Sequence, residues 1–180
     1  IWHSGSPMGG MIHLLRGIHI LVPRNMTQAA GFYNTLLSLN QPAILVESLN
    51  GYRLKEKMPN NLGQYKIPLG EIEFLQEGND ITAVSYGSTL RILSEAAITL
   101  KQYNISIEVI DIQTLIPFDL EENIVLSIAK TNRLIIVDED VPGGASAYIL
   151  QQLLEKQKVF KYLDSPPKLL SAKAHRPAYG

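Results

Sequence analysis

Residues 81–119, ITAVSYGSTLRILSEAAITLKQYNISIEVIDIQTLIPFD, constrain the fold more than any other stretch. A short apolar run over residues 81–86 breaks at Gly87-Ser88, and a helical pattern begins at once. Leu90, Leu93, Ala97 and Leu100 share one face, while Arg91, Glu95 and Gln102 fall elsewhere on the wheel. Spacings of three and four residues are what a helix packed on one side requires. Ser88 is placed to cap that helix, its hydroxyl accepting from a free N–H of the first turn. The pattern stops at Asn104, residues 105–112 read as a second strand, and a loop follows. Strand, crossover helix and strand make a βαβ unit, which is right-handed almost without exception.

The preceding part of the chain is less complete. Residues 1–17, with His3-Ser4-Gly5-Ser6-Pro7 and Gly9-Gly10, read as irregular, because Gly and Pro punctuate a chain and Ser competes for backbone hydrogen bonds. A short strand over residues 19–22 ends at Pro23. Asn25 and Gln28 form a capping box ahead of a helix carrying Phe32, Leu36 and Leu37, and residues 43–47 form the next strand. Two strands and one helix cannot bury a core, since a small sheet needs three strands or more with a covered face. Residues 1–68 therefore read as the tail of a larger domain whose missing strands lie upstream, with the turn-rich residues 48–68 as a connector. A first residue, Ile1, that is not Met fits a cut inside a longer protein.

Residues 69–180 read as a whole domain of α/β class, a three-layer fold on a mostly parallel sheet. Glu77-Gly78-Asn79-Asp80 is hairpin chemistry, so a strand over residues 71–75 is expected antiparallel to residues 81–86 at a sheet edge. Asp119 and Glu122 form a second capping box, with Leu120, Ile124, Val125 and Ile128 as the buried stripe and Lys130 near the helix end. Residues 134–137 are continuously apolar, as in a parallel strand covered on both faces. Gly143-Gly144 opens a helix reaching Lys156, and a last strand spans residues 168–171.

Composition narrows the function classes. A formal net charge of −1 lacks the basic face that nucleic acid requires. No apolar run approaches the roughly 20 residues that span a bilayer. The absence of cysteine excludes disulfides and thiolate chemistry and fits a reducing compartment, here the cytoplasm.

Gly87-Ser88 and Gly143-Gly144 each sit where helix N–H groups could hold an anion, but neither belongs to a G-x-G-x-x-G or G-x-x-x-x-G-K-[ST] pattern. Both read as turns, and Gly9-Gly10 has no strand before it. His3 sits in a Ser/Gly loop where an accessible imidazole can pass protons near neutrality. His13 and His19 follow it, but the spacing does not fit the helical H-E-x-x-H zinc pattern. Asp138-Glu139-Asp140 lies past a strand's carboxyl end, where α/β sheets bind ligands and where a solvated loop also puts its charges; the solvated loop is the expectation.

Taken together, the landmarks resemble a known family. His3-Ser4-Gly5-Ser6-Pro7 is similar to an H-S-Q-S-P loop, and residues 42–47 to a P-x-x-x-x-E strand. Val84-Ser85-Tyr86-Gly87-Ser88, residues 109–115, Pro117-Phe118-Asp119, Lys130-Thr131, Asp138-Glu139 and Gly143-Gly144 follow in family order. The pattern resembles the β-subunit of the thiamin-diphosphate-dependent 2-oxo acid dehydrogenases, in the transketolase superfamily. The resemblance implies that residues 1–68 end a pyrimidine-binding domain and that residues 69–180 are a transketolase C-terminal domain. It implies a parent enzyme that uses thiamin diphosphate and Mg to decarboxylate a 2-oxo acid oxidatively, branched-chain or pyruvate, and to pass the acyl group to a lipoyl arm. His3 would assist proton transfer during that acylation. Partners would be a twin through the C-terminal domain, an α-subunit or fused α-like half, and the lipoyl acyltransferase core. Gly5, Met8 and Asp138 depart from the usual Gln, Glu and His. The Glu that activates the cofactor and the pyrophosphate and metal motifs are absent, so this polypeptide alone is expected to bind no cofactor and to be inactive. Transketolase and deoxyxylulose phosphate synthase share the later pattern, but the H-S-x-S-P loop favours the dehydrogenases. A free nucleotide-binding α/β protein is disfavoured by the missing phosphate motifs.

Overall fold

The structure, a computed structural model, describes residues 5–174. In chain order the elements are α1 (Met8–Leu14), β1 (His19–Leu21), α2 (Met26–Leu36), β2 (Ala43–Leu45), β3 (Glu73–Gln76), β4 (Ile81–Ser85) and α3 (Thr89–Leu100). They continue with β5 (Ile107–Asp111), β6 (Thr114–Ile116), α4 (Asn123–Thr131), β7 (Leu134–Val137), α5 (Ala145–Gln151) and β8 (Lys168–Leu170). No helix among the described residues is long and apolar enough to cross a membrane.

The main sheet has the order β3-β5-β4-β7-β8. Its last four strands in that order run parallel, and β3 is antiparallel to β5. The βαβ unit lies at its centre, because both faces of β4 and β5 are covered. On one face Leu90, Leu93 and Ala97 of α3 pack against Ala83, Ile107 and Val109. On the other, Ile124 and Ile128 of α4 and Ile149 of α5 join Val84, Ile110 and Ile136. Asn104, with φ of 59°, ends the turn that trails α3, a left-handed stop that Asn tolerates.

The expected β3–β4 hairpin does not form. β3 pairs with β5 instead, Glu73 opposite Asp111 and Phe74 opposite Ile110. The turn crosses the start of β5 so tightly that a Cβ on Gly78 would lie 2.1 Å from the carbonyl carbon of Ile107. The Asp80 N–H donates to Ser106 O at 2.9 Å, and β4 is laid down on the far side of β5. The unit over residues 19–47 also acquires a partner, from downstream. β6, expected as loop, pairs antiparallel with β1, giving a second sheet of order β2-β1-β6.

The caps divide. Asn25 accepts from the Gln28 N–H at 2.8 Å as expected, but Gln28 returns its bond to the Arg24 N–H rather than to Asn25. Ser88 does not cap α3; its hydroxyl donates to Glu139 Oε2 at 3.2 Å. Asp119 caps α4 by accepting from the N–H groups of Asn123 and Ile124, both at 3.0 Å. Glu122, at a φ of 55°, gives no reciprocal bond. Leu120 leaves the buried stripe and is 66% exposed, because the chain is still in the turn before the helix.

Helix α1 replaces the irregular entry expected before Leu14. Its glycines have opposite surroundings. A Cβ on Gly9 would lie 2.8 Å from the Cα of Gly144, so the two backbones touch where α1 crosses the start of α5, whereas a Cβ on Gly10 would meet nothing within 4 Å. Gly9→Val is expected to push the helices apart at a cost of about 1–3 kcal/mol. Gly10→Ala should be neutral or stabilise by up to about 1 kcal/mol, because alanine is the better helix former. Urea midpoints of the two variants check the contrast.

Candidate site at the carboxyl edge of the sheet

The carboxyl ends of the neighbouring parallel strands β4 and β7 bring Tyr86 and Asp138 together, at the edge where α/β sheets present ligands. The Tyr86 hydroxyl donates to Asp138 Oδ1 at 2.6 Å. The Ser146 N–H, in the first turn of α5, donates to Oδ2 at 2.7 Å, and the Asp140 N–H reaches Oδ1 at 3.1 Å. Asp138 is only 4% exposed, which corrects the expectation of a solvated acidic loop. Both of its oxygens are engaged, so it acts as an anchor for residues 138–146 and is not a free base. Burial first, and the Asp138 charge second, hold the Tyr86 phenol far above its ordinary range; it stays protonated as the donor. The signal for Asp138 was available in the sequence. Leu134, Ile136 and Asp138 are all buried and continue one alternating face of β7.

This anchor carries α1 with it. Gly144 sits between the Asp140 side chain and Gly9, and Met8 of α1 is buried in the main core. Beside the crossing lies a pocket of about 640 Å³, walled by Pro7, Met11, Leu14, Ile44, Val141 and Pro142 among others. The pocket is mainly apolar, and Ser6-Pro7 places it a few residues along the chain from His3. His3 itself lies outside the described residues. The other histidines do not assemble: His13 is exposed on α1, and His19 pairs through Nε2 with Gln41 at 2.5 Å. Among the described residues no group of three His, Asp or Glu side chains could hold a metal.

The glycine turns can be tested as anion sites. Gly87 has a φ of 59°, a conformation glycine adopts without strain, and a Cβ there would lie 2.9 Å from Val22 Cγ1. The next residue, Ser88, is bonded to the Glu139 carboxylate. At Gly144 a Cβ would lie 2.3 Å from Asp140 Oδ2. A carboxylate therefore faces each turn, which is the wrong charge for a diphosphate. Neither glycine turn fits a diphosphate.

Comparison with known proteins completes the description. Residues 70–179 match the family described as transketolase, C-terminal domain. The chain is 32% identical over 169 residues to the mitochondrial 2-oxoisovalerate dehydrogenase subunit beta of Chaetomium thermophilum, covering 92% of this chain and 35% of that one. It is 35% identical over 170 residues to the acetoin:2,6-dichlorophenolindophenol oxidoreductase subunit beta of Bacillus subtilis, covering 94% and 48%. The chain thus spans less than half the length of these relatives. Among solved structures, a split-gene transketolase described as an inactive beta4 tetramer superposes with a TM-score of 0.69 at 17% identity, over 94% of this chain and 52% of that one.

Proposed function

The chain belongs to the transketolase C-terminal domain family, and from that premise we propose that it is the C-terminal part of the β-subunit of a thiamin-diphosphate-dependent 2-oxo acid dehydrogenase. The observation that carries this reading is the match to a 2-oxoisovalerate dehydrogenase β-subunit over 92% of the chain, well beyond the family domain itself. Residues 1–68 are then the end of a pyrimidine-binding domain, and residues 69–180 serve dimerisation and assembly on a lipoyl acyltransferase core. The parent enzyme, completed by an α-subunit or α-like half in the cytoplasm, decarboxylates a branched-chain 2-oxo acid and transfers the acyl group to a lipoyl arm. Cofactor and metal are assigned to parts outside the described residues, a reading supported by the carboxylates that face both glycine turns.

In this reading the chain's own contribution is positional and protonic. The Tyr86–Asp138–Ser146 bonds fix residues 138–146, and the contact of Gly144 with Gly9 fixes α1, which begins at Met8. The His3 imidazole is assigned the proton transfer that accompanies acylation, since imidazole is the side chain best suited to giving and taking protons. In the complete enzyme His3→Ala should slow acyl transfer to a lipoyl domain about a hundredfold and slow decarboxylation, read with an artificial acceptor, by much less. Equal loss of both half-reactions would count against the assignment. The reading as a whole is tested by assaying the enzyme with 3-methyl-2-oxobutanoate, pyruvate and acetoin. Turnover of the branched oxo acid above the other two supports it. Dye reduction with acetoin alone would replace it by the activity named for the Bacillus subtilis relative.

A further inference from the structure

A cleft of about 370 Å³ opens between β3, β5 and α4, lined by Phe74, Glu77, Glu108, Leu126, Ser127 and Lys130. Glu108 comes from β5, between β3 and β4 in the sheet, and its side chain is 3% exposed. One carboxylate oxygen takes the Lys130 ammonium, while the other, Oε2, is buried with no hydrogen-bond partner among the described residues. An unpaired buried carboxylate oxygen is costly, and it marks the place where a donor is wanted. Lys130 is bonded to the other oxygen, Oε1. Ser127 cannot either, since its hydroxyl is engaged with Thr82 Oγ1 at 2.6 Å. Glu77 stands exposed at the rim, so the charged wall carries two carboxylates against one ammonium. Phe74 and Leu126, 46% and 68% exposed, supply apolar surface beside the charge.

We propose that this cleft binds a guanidinium group carried on a short apolar stem. A guanidinium is more weakly hydrated than an ammonium, so it reaches a buried oxygen at smaller desolvation cost. Its planar fork can serve Glu108 Oε2 and Glu77 together, and its face can stack on Phe74. A divalent metal fits poorly, because it would have to sit beside the Lys130 ammonium with only two carboxylates to hold it.

The full chain is titrated with n-butylguanidinium, n-butylammonium and butyrate, following the amide resonances of Phe74, Ser127 and Lys130. Butylguanidinium should shift these amides and bind about tenfold or more tightly than butylammonium, and butyrate should not bind. Glu108→Gln should weaken it at least about tenfold and Glu77→Gln less. Leu126→Lys, at an exposed position where folding is not at stake, should abolish binding and covers the case in which Glu108→Gln fails to fold. Tighter binding of a blocked Leu-Arg-Leu peptide than of butylguanidinium assigns the cleft to an arginine of a partner polypeptide; the reverse assigns it to a free small molecule. The proposal is overturned by absence of shifts at these amides, or by affinity unchanged in Glu77→Gln and Leu126→Lys. Because it needs no turnover, it stands or falls separately from the dehydrogenase reading.

Discussion

Asp138→Ala is expected to lower the stability of the fold by about 4 kcal/mol, as removal of one partner from a buried charged network does. Three donors lose their acceptor: the Tyr86 hydroxyl, the Ser146 N–H and the Asp140 N–H. Tyr86 and Ser146 are buried, so water cannot readily replace the carboxylate, and the Ser146 hydroxyl already lacks a partner among the described residues. Asp138→Asn should cost less, about 2 kcal/mol, because one oxygen still accepts while the amide NH₂ opposes the remaining donor. Tyr86→Phe removes a donor and should cost about 1–2 kcal/mol. Combined with Asp138→Ala its loss should be less than additive, since the two side chains are in contact. Urea midpoints at constant slope measure all four variants. An Asp138→Ala loss below about 1 kcal/mol would mean that the network does not hold residues 138–146 in place.

The same residue shows where reading the sequence succeeds and where it stops. The central βαβ unit was legible because its order is written in local periodicity: Leu90, Leu93 and Ala97 are buried where the wheel puts them. Turn chemistry at Glu77-Gly78-Asn79-Asp80 points to a β3–β4 hairpin only locally, while pairing is decided by the approach of Gly78 to the distant Ile107 backbone. Helix α1 was hidden by Gly9-Gly10, whose helix cost is offset by a contact with Gly144, more than a hundred residues away. Asp138 sits in one acidic run with Glu139 and Asp140, and only the alternation of β7 distinguishes it. Ser88 reads locally as a helix cap, but Glu139, just past the end of β7, takes its hydroxyl. In each case the missing information is a tertiary partner far away in sequence.

The second large effect is expected at Arg24, where the early helix meets the main sheet. Its guanidinium donates from Nη1 to Asp111 Oδ2 at 2.7 Å and grips Glu73 with bonds of 2.7 and 3.0 Å. Asp111 has a fully buried side chain and is further held by Gln28 Nε2 at 2.9 Å and by the Gln113 N–H at 2.8 Å. Arg24→Met keeps the aliphatic stem but leaves the Asp111 charge with neutral donors only, for a loss of about 3 kcal/mol at neutral pH. Glu73, 44% exposed, contributes little of this, because water and salt screen it. The loss should depend on pH. Burial already holds the Asp111 carboxyl above its usual range, against the Gln28 and Arg24 bonds that lower it. Removing Arg24 removes one of the lowering influences, so the native pKa rises further. A carboxyl with a raised native pKa keeps its proton in the folded state over a range where the unfolded chain has released it. Stability therefore falls as pH rises from the unfolded value through the native one. The deficit of Arg24→Met relative to the parent should shrink as the buffer is taken from pH 7 toward pH 5. Asp111→Asn in the Arg24→Met background should flatten that dependence. A deficit that is the same at both pH values would place the loss in the Glu73 contact and in packing, not in the stranded Asp111 charge.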